Sequence, residues 1–183
     1  MDTLGIIKKE NTAFVLVDIQ ERFIPVIDNI EQVISNANTL VDVSKILNIH
    51  LIVTEQYPKG LGKTSDKISL PDNIKTIEKL SFSCFGSEEF VQEIKELKIN
   101  TIILFGIEAH VCILKTALEA IKNGMAVHVV ADAVSSRTSE NKNIALERMK
   151  QSNVFIVSTE MIIFQLLGKA GTEEFKSISK LIK

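Results

Sequence analysis

Apolar and polar residues fall into blocks along the chain, and the blocks switch between two periods. AFVLVD (13–18) is an unbroken apolar run closed by a carboxylate, the pattern of a strand buried on both faces. Ile30, Val33, Ile34, Ala37, Leu40, Val41 and Leu47 then recur at three- and four-residue spacing, which predicts an amphipathic helix. HLIVTE (50–55) predicts a second strand and 73–80 a short third one, with Phe90, Val91, Ile94 and Leu97 marking the helix after it. TIILFG (101–106) predicts a fourth strand, and Ile113, Leu114, Ala117, Leu118 and Ile121 line the next helix. AVHVVAD (126–132), a helix over 139–151 and NVFIVS (153–158) complete the series, and the tail, 159–183, reads as two helices broken near 168–171.

Strands alternating with helices predict a three-layer α/β fold with a mainly parallel sheet. No repeat, linker or low-complexity stretch interrupts it, so 1–183 is expected to be one domain. At 183 residues the chain can bury a full core without disulfides or metals.

Composition narrows the function classes. A net charge of −2 argues against nucleic acid or an anionic membrane as main partner, since both favour a basic face. No apolar run approaches the roughly 18 residues of a membrane span. The first residues, MDTLGIIKKENTAF, lack the basic and apolar regions of a signal peptide. Two cysteines make no disulfide framework, so the expected setting is a reducing cytoplasm.

In parallel sheets, ligands bind at the carboxyl ends of the strands. Asp18, Glu55, the segment 106–112 and Asp132 all fall there. GLGKTS (60–65) imitates a phosphate loop, but Tyr57 stands where a Walker motif needs its first glycine, so a flexible surface loop is expected. His50, His110 and His128 have no metal-ligand spacing, and Cys84, within FSCFG, reads as a packed thiol.

Cys112 differs by its address. A helix starting near Val111 would direct free N–H groups and a positive dipole end at the thiol, lowering its pKa, and could hold a tetrahedral oxyanion. Asp18 would supply a base from the adjoining strand end. A cation such as Lys79 would steady both carboxylate and thiolate.

These segments resemble the isochorismatase-like cysteine hydrolase superfamily over nearly the whole chain. VLVDIQERF (15–23) is similar to the motif carrying the family's catalytic aspartate, EKLSFSCF (78–85) to the one carrying its lysine, and GIEAHVCI (106–113) to the nucleophile motif. TEQYPKGLG (54–62) and DAVSSR (132–137) look most like the isochorismatase domain-containing branch.

The resemblance implies a six-stranded sheet in order 3-2-1-4-5-6, with strands near 13–18, 49–54, 75–79, 101–106, 126–131 and 153–157. It implies Asp18, Lys79 and Cys112 as catalytic residues. It also implies a cis peptide between Ile107 and Glu108, and an oxyanion hole from the backbone N–H groups of Glu108 and Cys112.

By position, Gln20, Phe23, Gln56, Tyr57, Phe85 and His110 are expected to line the substrate pocket. Nicotinamidases of the superfamily carry an aspartate–histidine metal cluster after the second strand, and TEQYP (54–58) supplies neither. No metal and no cofactor are therefore expected.

The implied activity is metal-independent hydrolysis of a C–N bond in a small amide or carbamoyl compound through an acyl-cysteine. The alternatives are a non-catalytic binding or scaffold protein and an isochorismate-type ether hydrolase. The apolar stretch MIIFQLLG (161–168) further suggests a homo-oligomer with that region at the interface.

Overall fold

The computed structural model describes residues 4–182. Residues 1–3 and 183, the ends of the expected domain and of its last predicted helix, lie outside the described residues. Six parallel strands form one sheet: β1 (Thr12–Val17), β2 (His50–Gln56), β3 (Thr76–Lys79), β4 (Thr101–Ile107), β5 (Ala126–Ser135) and β6 (Phe155–Val157). Their order is β3-β2-β1-β4-β5-β6, as the resemblance implies.

The helices are α1 (Ile30–Leu47), α2 (Pro58–Leu61), α3 (Glu88–Glu96), α4 (Leu114–Lys122), α5 (Ser139–Lys150), α6 (Thr159–Leu167) and α7 (Glu173–Ile178). They cover both faces because alternate strand residues point to opposite sides. Phe14 and Leu16 pack in one cluster with Val33, Ala37, Leu40 and Ile163, whereas Ala13, Val15 and Val17 pack in the other with Phe90, Ile113, Ala117 and Met149.

Side-chain caps fix where helices start. Ser87, Thr138, Ser158 and Thr172 each accept the N–H of the residue three further on. Gly168, left-handed at φ 66°, closes α6 and makes the predicted break in the tail.

Three differences from the sequence reading have physical causes. β5 extends to Ser135, beyond the expected end, because the β4–β5 register shifts between Leu104 and Gly106 and pairing resumes at Gly106–Val134. The 60–65 loop is pinned: the Gln20 Nε2 donates to the Gly62 carbonyl, and Glu55 accepts both the N–H and the hydroxyl of Thr64. The apolar mass of 161–168 goes mainly into the chain's own core, through Ile162, Ile163 and Leu166, leaving Met161 and Phe164 outward.

Gly106 is where the strand's exit needs glycine. Its φ is +119°, and a Cβ there would stand 2.1 Å from the Val17 carbonyl oxygen. Gly106→Ala should therefore lower unfolding free energy by about 2 kcal/mol or more, because overpacking and backbone strain add. Urea denaturation with an unchanged midpoint would contradict that close approach.

Candidate functional site

β1, β2, β3 and β4 deliver one polar cluster to the carboxyl edge of the sheet. Asp18 follows β1 directly and takes a left-handed φ of 53°, a conformation aspartate tolerates better than bulky residues. Lys79 closes β3. Its Nζ donates to the Asp18 Oδ2 at 2.6 Å, and both side chains are wholly withdrawn from solvent.

The remaining valences are filled with protein groups. The Thr54 hydroxyl donates to the Asp18 Oδ1 at 2.8 Å, and the Lys79 Nζ also donates to the Gln56 Oε1 at 2.8 Å. A buried ion pair needs such partners to offset its desolvation.

Cys112 reaches the same cluster from β4. The expected cis peptide, Ile107–Glu108, leads into a π turn, Ala109–Ile113, closed by the Ile113 N–H on the Glu108 carbonyl at 3.2 Å. Cys112 therefore sits in this π turn, just ahead of the first regular turn of α4, and is 5% exposed. Such turns insert an extra residue into a helix and recur at functional sites. The Asp18 carboxylate and the Lys79 ammonium both act electrostatically on the Cys112 thiol.

The electrostatics differ from the sequence expectation. The thiol of Cys112 is pushed well up rather than down: burial is the main cause, the Asp18 carboxylate adds to it, and Lys79 opposes it. A helix end does not outweigh lost hydration beside a carboxylate. Burial pulls the Lys79 ammonium down, but the attraction of Asp18, Cys84 and Cys112, with the Asp18 hydrogen bond, leaves it raised overall. The resting state is thus a neutral thiol beside a compensated ion pair.

The residues expected to line a pocket divide. Gln20 is a correction: fully buried, it donates to the Gln56 and Gly62 carbonyls and accepts the Gln56 N–H, so its amide is spent on the scaffold. Gln56 holds Lys79 with its Oε1 and donates its Nε2 to the Leu80 carbonyl. Phe85 is half-buried, its ring edge-on to Phe90, and it lines a cleft along α3.

Phe23 packs half-buried on the α1-side core. Tyr57, half exposed, lines a cleft with Pro58, Lys59, Glu78, Lys79 and Leu80. His110 is half-buried with its Nδ1 2.9 Å from the Ser136 Oγ.

The carboxylates expected at strand ends are staples: Glu55 holds Thr64, and Asp132, which lies within the longer β5 rather than at its end, holds Thr159. His50 pairs with Glu93, and His128 stacks on Phe155. Cys84 is fully buried, as its apolar neighbours imply. Thr54, which the sequence reading passes over, is betrayed only by being a hydroxyl inside a strand buried from Leu51 to Gln56.

A parallel doubly wound sheet with a cysteine, a carboxylate and a lysine meeting at its carboxyl edge has the fold of the isochorismatase-like hydrolases. Residues 12–161 match the Isochorismatase domain family. The chain belongs to that family.

It is 42% identical to the secreted isochorismatase effector Isc1 of Phytophthora sojae, over 98% of this chain and 88% of the relative. It is 41% identical to isochorismatase domain-containing protein 2 of Danio rerio, over 100% and 92%. Among solved structures it resembles the MAR1 ribonuclease of Caenorhabditis elegans, with a TM-score of 0.90 and 38% identity over 96% of this chain and 91% of that one. Among the described residues no helix is long and apolar enough to cross a membrane.

The buried groups make stability fall with alkali. Burial raises Cys84 from an ordinary 9.0 to about 11, with Asp18 adding and Lys79 and the Thr116 and Thr54 hydroxyls opposing. Between those values the unfolded chain binds fewer protons than the folded one, so stability declines as pH rises through the window. Lys79, also raised, adds a loss above 10.5 as pH passes through its folded value. Thermal melts from neutral pH upward should show this decline, and Cys84→Ala should flatten it; equal slopes in the two proteins would contradict the assignment.

Proposed function

We propose that the protein is a metal-independent cysteine hydrolase that cleaves the C–N bond of a small amide or carbamoyl compound. The observation that carries this reading is the buried Asp18–Lys79 pair, with the buried Cys112 thiol under the influence of both charges. Family membership supports hydrolysis, and the trio supports the finer assignment.

In the proposed reaction the Cys112 Sγ attacks the carbonyl carbon while its proton passes to Asp18. The tetrahedral oxygen takes its hydrogen bonds from the backbone N–H groups of Glu108 and Cys112. Asp18 then gives the proton to the departing amine, and the C–N bond breaks to leave a thioester. Water attacks the thioester, Asp18 takes its proton and returns it to sulfur, and the carboxylic acid leaves.

The raised thiol fits this scheme. Moving one proton from sulfur to Asp18 leaves the total charge of the trio with Lys79 unchanged, so no net charge is created in the dry pocket. Lys79 holds the charge wherever it lies.

The test is ammonia or amine release across primary amides, ureides and carbamoyl compounds. Cys112→Ala should lower turnover by about 10⁴ or more, and Asp18→Asn by about 10³, with far-ultraviolet circular dichroism unchanged. Turnover that survives Cys112→Ala would favour the ether-hydrolase reading. No turnover in any class, with a thiol inert to iodoacetamide, would favour a binding protein.

The C. elegans relative is named a ribonuclease. An RNA-cleavage assay on the wild type and Cys112→Ala separates that activity, which a net charge of −2 does not favour.

The same reading includes a reducing, cytoplasmic setting that keeps Cys84 and Cys112 as thiols, and no cofactor. It also includes self-association. Met161 and Phe164 on α6, exposed by 57% and 49%, form the proposed contact of a homodimer or larger assembly. Light scattering at micromolar concentration should give at least twice the chain mass, and a monomer would refute it.

A further inference from the structure

The proposed reaction leaves one buried thiol unused. Cys84 is a free cysteine, as Cys112 is, and the two belong to one buried cluster with Val17, Ala109 and Ile113. The Cys84 N–H donates to the Thr116 Oγ1 at 3.0 Å. Thr116 stands four residues beyond Cys112, a spacing that puts both on one helix face. Four residues are about 6 Å along a helix axis. A disulfide spans a similar separation, up to about 7 Å between Cα atoms.

Electrostatics report the same proximity. Both thiols act on the Lys79 ammonium, and Cys84 is among the charges felt by Cys112. Such coupling falls off with distance. Lys79 in turn opposes the rise of both thiols, so it steadies either sulfur as its proton leaves.

Access separates the two. Cys112 keeps 5% of its surface, and Cys84 keeps none. A small oxidant arriving from solvent meets Cys112 first, and Cys84 reacts with what Cys112 has become.

We propose that Cys84 is a resolving thiol: hydrogen peroxide oxidises Cys112, and Cys84 closes the product into an intramolecular disulfide that a dithiol reopens. The Cys112 sulfur attacks one peroxide oxygen, the O–O bond breaks, and the thiol proton leaves with the departing oxygen as water. The Cys84 sulfur then attacks the sulfenic sulfur. The S–S bond forms, the S–O bond breaks, and the Cys84 proton leaves with the hydroxide as a second water. The two thiols together lose two electrons, and the peroxide gains them.

A sulfenic acid without a partner is open to more peroxide, which carries it to sulfinic acid irreversibly. The bridge instead holds Cys112 in a form that thiol exchange restores. This stands apart from the identity of the bond that Cys112 cleaves.

The test starts from the reduced full chain and equimolar hydrogen peroxide. Remaining thiols are blocked with iodoacetamide under denaturing conditions, and mass spectrometry reads the intact and the digested protein. The wild type should lose two hydrogens, its Cys84 and Cys112 peptides should come joined, and dithiothreitol should return nearly all of both thiols. In Cys84→Ser no bridge should form, further peroxide should carry Cys112 to sulfinic acid, and thiol recovery should fall about tenfold.

A wild-type Cys112 found as sulfinic acid while Cys84 is still a thiol overturns the inference. So does a bridge that joins two chains, or a Cys112 that peroxide leaves unchanged. These outcomes are read on the wild type, so they hold even where Cys84→Ser misfolds. The hydrolase reading is decided separately, by amine release.

Discussion

Two opposite charges lie entirely out of water where β1 and β3 end, and most of the surrounding structure exists to make that tolerable. A carboxylate and an ammonium in a dry interior cost several kcal/mol each to desolvate, and their attraction repays this only when the other hydrogen-bonding positions are filled. Thr54 fills one on Asp18, and Gln56 fills one on Lys79. The apolar runs of β1, β2 and β4 supply the dry walls. The left-handed turn at Asp18 brings its carboxylate between lysine and thiol.

Under the proposed reaction, that compensation also explains why a raised thiol suits a nucleophile. A preformed thiolate would add a second negative charge beside Asp18, and burial penalises it. A proton that only moves between sulfur and carboxylate leaves the pocket's charge constant.

The strands were legible in the sequence as apolar runs of strand length. The sheet order and the choice of Asp18, Lys79 and Cys112 came from the family resemblance carried by three motifs at strand ends. The pocket was legible in neither, because position along the chain does not say which way a side chain turns. Gln20 follows Asp18 by two residues, yet its amide is consumed by backbone groups. Thr54 escaped notice for the opposite reason, as threonine is a common strand former and its hydroxyl matters only once Asp18 is beside it. The lowered thiol pKa was expected from a helix end and a nearby cation; the sequence could not weigh those against burial.

Gln20 acts as a crossbeam. One side chain ties the exit of the first strand to the Gln56 backbone and to Gly62, and Gln56 in turn grips the lysine. The ammonium's position is therefore set partly by a surface loop that never touches it. Substitutions in 60–65 act as a lever on the lysine. They give evolution a way to retune this site while Asp18, Lys79 and Cys112 stay as they are.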